Sequence, residues 1–124
     1  MNKIGIINFG FKYGTPQDSS FILDVRGLPN PFYVPELREL TGADAEVQSY
    51  LLRFPETKEF MARCRNFLDF AVPQYLGSVK GQLHIAVGCT GGRHRSVAVA
   101  EWLYAAYSIP YRGVSVLHRD LRLR

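Results

Sequence analysis

Residues 83–107 read LHIAVGCTGGRHRSVAVAEWLYAAY, and this stretch decides the fold. Residues 83–87 are an apolar run short enough for a buried strand. A glycine-rich turn follows at 88–95, and a helical pattern begins at about Ser96. A strand that feeds a glycine-rich loop opening a helix collects unpaired backbone N–H groups at the positive end of that helix, which suits an anion. Gly91 and Gly92 let the backbone approach a ligand closely. Arg93, His94 and Arg95 add side-chain donors, and Cys89 sits at the mouth of the loop.

Working outward, residues 3–9 (KIGIINF) predict a first buried strand, ending at the turn GFKYG, which carries Lys12 between two aromatics. Residues 21–25 (FILDV) predict a second strand, with Asp24 and Arg26 on one side of its end. The prolines at 29, 31 and 35 exclude regular structure from 27–35 and favour a stiff extended loop that walls a pocket, with Asn30 as its polar member. Residues 36–40 suit one helical turn. Residues 44–54 suit a short helix capped by Asp44. Pro55 opens a longer helix whose stripe is Phe60, Met61, Cys64, Phe67, Leu68, Ala71 and Val72, and Pro73 bends or ends it. Residues 113–117 make a last strand.

Strands alternating with helices imply an α/β fold: a mostly parallel sheet of four to five strands with helices on both faces. In such a sheet the strand ends share one edge, where open α/β folds place ligands. Each predicted strand ends near a cation: Lys12, Arg26, the loop 89–95, and Arg119 beside His118.

The chain has 124 residues, 47% hydrophobic and 21% charged, the balance of a soluble globular domain. The opening apolar run is too short for a signal peptide or membrane span. Two distant cysteines supply neither a disulfide framework nor metal spacing, so a reducing cytoplasm is expected, with no metal, cofactor or membrane partner. His84 has no second ligand at metal spacing. The formal charge of +4 lies entirely in residues 93–124, where Arg93, Arg95, Arg112, Arg119, Arg122 and Arg124 face Glu101 and Asp120. That placement suggests an anionic partner, a phosphate ester or a nucleic acid. RNA would use Arg112, Arg119, Arg122 and Arg124.

Cys89 to Ser96 also fits the Cys-x5-Arg-Ser pattern of protein tyrosine phosphatases, in which a low-pKa cysteine attacks phosphorus and the arginine grips two oxygens. On that reading Cys89 and Arg95 are catalytic. Against it, Gly88 stands where those enzymes have histidine, and Asp24 and Asp120, the candidate acids, each have an arginine close by to pair with.

A second resemblance spans nearly the whole chain. FGFKYG (9–14), DVRGLPNPFYVPELRELTG (24–42), IAVGCTGGRHRSVAVAE (85–101) and HRDL (118–121) together resemble the C-terminal domain of RapZ-type RNase adapter proteins. This resemblance implies one domain over residues 1–124, similar to a phosphofructokinase subdomain. It implies a phosphorylated-sugar ligand, glucosamine-6-phosphate, held by Cys89, Thr90, Gly91, Gly92, His94 and Arg95, with Arg93 at a variable position and Ser96 next. Asp24, Arg26 and Asn30 match the family segment expected to contact sugar hydroxyls or shape the wall. It further implies a regulatory RNA, a homo-oligomer and an RNase-adapter role. The family's P-loop half is absent from the sequence given, which has no Gly-x4-Gly-Lys-Ser/Thr. Nucleotide binding therefore does not carry over, and a separate protein supplying that half is an expected partner. Binding without turnover is the expected activity, with a cysteine phosphatase as the alternative.

Overall fold

A computed structural model of the chain describes residues 3–78 and 81–123. Four strands, β1 (Lys3–Gly10), β2 (Phe21–Asp24), β3 (Gln82–Cys89) and β4 (Val114–His118), form an all-parallel sheet in the order β2-β3-β1-β4. The central strands β1 and β3 are almost continuously buried, while the edge strands β2 and β4 alternate. That contrast is why KIGIINF and LHIAV are mostly apolar without strict alternation.

The helices are α1 (Ala45–Leu52), α2 (Pro55–Leu76) and α3 (Arg95–Tyr107). Leu68 and Val72 of α2 and Val99, Ala100 and Leu103 of α3 pack with Ile4, Ile6, Leu83, Ile85 and Val87 in one core. Tyr107 Oη donates to Asp69 Oδ1 at 2.8 Å, joining α3 to α2. On the opposite face the cover is thinner. Phe9 and Phe11 lie against Gly88 there, and Ile22 and Leu117 stay exposed.

Several local expectations change. Pro31–Tyr33 forms a 3-10 turn inside the proline-rich segment, because Pro31 suits a first helical position and Asn30 Oδ1 accepts from Phe32 N at 3.1 Å. Residues 36–40 make turns rather than a helix. Asp44 does stand at the cap of α1, but its carboxylate reaches back to Thr41 N at 2.8 Å. Pro73 lies inside α2, which continues to Leu76. Phe67 leaves the apolar stripe and is 54% exposed.

The register places the strand ends in line: Gly10 beside Cys89, Asp24 beside Gly88, and Asn8 beside His118. The segment after Leu40 then closes on the start of α3. Gly42 N donates to Arg93 O at 2.9 Å, and a Cβ on Gly42 would collide with His94 O and Ala98 N. Since both are backbone, Gly42→Ala is expected to cost about 1–3 kcal/mol or more. Gly27, where a Cβ meets nothing within 4 Å, is the control: Gly27→Ala should stay within about 0.5 kcal/mol of wild type in urea unfolding.

Candidate functional site

The loop after β3 is built to leave donors unused. Gly92 takes φ +74, a conformation that favours glycine. Asn8 Nδ2 donates to Gly92 O at 3.0 Å, and Lys12 N donates to Thr90 O at 3.2 Å, so the loop's carbonyls are tied to β1 and the turn after it. The N–H groups of Gly91, Arg93 and His94 find no acceptor among the described residues. They lie beside the N-terminus of α3, where the helix dipole favours negative charge.

Arg95 is 6% exposed. Its Nη1 donates to Arg26 O at 2.7 Å and Leu28 O at 3.2 Å, tying the segment after β2 to α3. Its Nε is buried without a partner. A buried unpaired guanidinium nitrogen is costly, and at a cleft wall it is a donor in wait of an acceptor. Cys89 Sγ lies 3.0 Å from Ser96 Oγ. Burial opposes ionisation of the thiol, but hydrogen bonds from the Ser96 hydroxyl and from the N–H groups of Ser96 and Gly92, with the charge on Arg95, hold it below its ordinary value.

These elements wall a cleft of about 580 Å³ lined by Cys89, Thr90, Gly91, Arg93, His94 and Arg95. Lys12, Asn30, Phe32, Tyr33, Arg38 and Glu39 complete the lining. The structure thus brings Lys12 and Asn30 to the loop, and places Gly92 and Ser96 behind it as supports. Asp24 and Arg26 do not line the cleft. They pair with each other, Arg26 Nη2 to Asp24 Oδ2 at 2.7 Å, and the Arg26 guanidinium stacks 3.9 Å from the Phe11 ring. The hydrogen bond from Arg26 holds the Asp24 carboxyl below its usual range. Arg93 Nη1 donates to Leu121 O at 2.6 Å.

Four lining residues escape the sequence reading: Phe32, Tyr33, Arg38 and Glu39. Phe32 and Tyr33 face outward on the 3-10 turn, 47% and 76% exposed. Arg38 follows them, its guanidinium over the Phe32 ring and its Nε donating to Phe32 O at 2.9 Å. Two exposed adjacent aromatics in a proline-rich segment were the available signal, obscured by reading 36–40 as a helix.

The basic tail is not gathered. Arg112 precedes β4 and Arg119 follows it, so the strand holds them about 20 Å apart. Arg119 is occupied by Asp120 at 2.8 Å and by the carbonyls of Tyr13 and Gly14. Arg122 is exposed, and Arg124 lies outside the described residues. Among the described residues no cluster of His, Cys, Asp or Glu fits a metal ion, and no helix is long and apolar enough to cross a membrane.

His94 is buried and points away from the loop's donors: its Nε2 lies 3.2 Å from Leu37 O and 3.1 Å from Arg38 O, and so carries the hydrogen. Burial lowers its pKa from 6.5, against those carbonyls. The unfolded chain therefore binds the proton first as pH falls. The stability that neutral His94 confers is complete above pH 6.5 and declines below it, down to the folded value. Urea unfolding from about pH 7.5 to about pH 5.5 should show a fall of no more than about 1.4 kcal/mol per pH unit, and His94→Gln should flatten it.

A family model described as the RapZ C-terminal domain matches residues 2–122. A nucleotide-binding protein of Clostridium novyi is 49% identical over 118 residues, covering 95% of this chain and 40% of its own length. Nucleotide-binding proteins of Bacillus cytotoxicus and Bacillus thuringiensis are 47% and 46% identical over 122 residues, covering 98% of this chain and 41% of theirs. The chain spans about two fifths of the length of these relatives.

Proposed function

This chain belongs to the RapZ C-terminal domain family, and from that premise we propose that its loop 89–96 holds the phosphate of a small phosphorylated sugar in a sensing or adapter domain. One observation carries the proposal. Among the described residues, Arg95 is buried at the cleft wall with Nε unpartnered, beside loop N–H groups that have no acceptor there. A tetrahedral oxyanion would satisfy all of them at once, through charge-assisted bonds stronger than neutral ones.

The rest of the cleft suits a sugar. About 580 Å³ is within the range that encloses small ligands. Phe32 and Tyr33 offer apolar faces to a ring, and Asn30 and Glu39 offer polar partners to its substituents. The family resemblance is the reason to include an amino sugar such as glucosamine-6-phosphate, and the described lining holds one carboxylate, Glu39, with the cations Lys12, Arg38, Arg93 and Arg95. The adapter role, an RNA partner, self-association and a partner carrying the P-loop belong to the family resemblance. Among the described residues Arg112 stands apart from Arg119 and Arg122, which favours the sugar phosphate as the leading ligand.

Gly91 offers a clean test, because it lines the cleft while a Cβ there meets no protein atom within 4 Å. Gly91→Ala should keep the wild-type melting temperature and weaken binding of inorganic phosphate and glucosamine-6-phosphate roughly tenfold or more in isothermal titration. Saturable binding that is indifferent to Gly91→Ala would place the ligand elsewhere.

A further inference from the structure

We propose that Cys89 is a phosphoryl acceptor: its sulfur takes a phosphoryl group from aryl and acyl phosphates, whose leaving groups depart without a proton, while sugar monoesters are held uncleaved. The proposal rests on the phosphate reading of the loop and goes beyond it, since binding alone makes no use of the sulfur.

Three features of the site support the step. The sulfur is in the cleft wall, 3.0 Å from Ser96 Oγ, and the backbone N–H groups of Gly92 and Ser96 favour its ionised form. This donor set stabilises a thiolate, the form that attacks. Arg95 supplies the second element. Its Nη1 is committed to two carbonyls, its Nε is buried and unpaired, and it lines the same wall as the sulfur. A phosphoryl group at the loop would be within the cleft that both residues line, with its charge met by fixed donors as it is transferred.

The third feature limits the donors. Cleaving a sugar monoester expels an alkoxide, which needs a proton as it leaves. Asp24 is locked to Arg26 outside the cleft. Asp120 is also outside the cleft lining, where it accepts from Gly10 N at 2.9 Å and from Arg119. His94 Nε2 is occupied by the carbonyls of Leu37 and Arg38, and Glu39, the carboxylate among the described lining residues, comes from the turns after the 3-10 segment and not from the loop that carries the sulfur. Phenolates bearing electron-withdrawing groups, and carboxylates, leave as stable anions and need no such donor.

In the step, the thiolate electron pair forms the S–P bond as the P–O bond to the leaving group breaks, and that pair departs on the phenolate or carboxylate oxygen. Water then adds to phosphorus and gives a proton to solvent. The S–P pair returns to sulfur, and inorganic phosphate is released.

The test uses the whole chain with para-nitrophenyl phosphate, and with acetyl phosphate as the acyl donor. Acid-quenched samples should show one phosphoryl adduct by intact mass, mapping to Cys89, with release of para-nitrophenolate. Cys89→Ser should lower that release roughly tenfold or more. Ser96→Ala should move the acid limb of the pH–rate profile to higher pH, a shift that a merely structural serine would not produce. Absence of adduct and of Cys89-dependent release, with inorganic phosphate still binding, would overturn the acceptor and leave the binding reading standing. An adduct on another residue, or hydrolysis of glucosamine-6-phosphate as fast as that of the aryl ester, would also overturn it. Failure of inorganic phosphate to bind at all would remove both readings.

Discussion

Arg95 divides its guanidinium between two tasks. Nη1 holds the carbonyls of Arg26 and Leu28, which fixes the segment after β2 against the start of α3. Nε is left buried and unpaired in the same side chain. Other contacts brace this arrangement. Asn8 and Lys12 restrain the loop's carbonyls, Gly42 packs on the backbone of His94 and Ala98, and His94 ties the turns at 37 and 38 to the loop. A loop held this way gains little by collapsing onto its own donors. Preorganised donors of this kind bind without further ordering cost.

Much of the fold was legible because the central strands have no polar face to hide. The runs in β1 and β3 are buried on both sides, and Gly88 to Ser96 carries its chemistry in consecutive residues. Residues 31–40 were not legible, since their shape depends on distant partners. Asn30 caps a turn that composition alone argues against, and residues 37 and 38 are fixed by a histidine more than fifty positions away. The site divides in the same way. Its loop wall was readable, while Phe32, Tyr33, Arg38 and Glu39 reach the cleft only through that tertiary pinning. Asp24 and Arg26 match the family segment, yet they pair with each other outside the lining.

The charge balance changes meaning once the arginines are placed. Arg93 donates to Leu121 O, Arg95 is internal, and Arg119 joins Asp120 to the turn after β1. The surplus that the sequence assigns to residues 93–124 is thus partly spent in holding the loop and the last strand. Two of these arginines, Arg93 and Arg95, line the cleft, where Lys12 and Arg38 join them from other segments. Holding a phosphate and breaking one then differ in a single requirement. On the proposed reading the cradle and the sulfur serve both, and delivery of a proton to the leaving group is what sugar-ester hydrolysis adds.

The most direct measurement is a crystal structure at saturating inorganic phosphate. The account predicts one anion in the loop, within hydrogen-bond distance of Arg95 Nε and of the N–H groups of Gly91, Arg93 and His94, with Arg95 Nη1 still on Arg26 O and Leu28 O. A loop without an anion, with Arg95 Nε still unpaired, would contradict it.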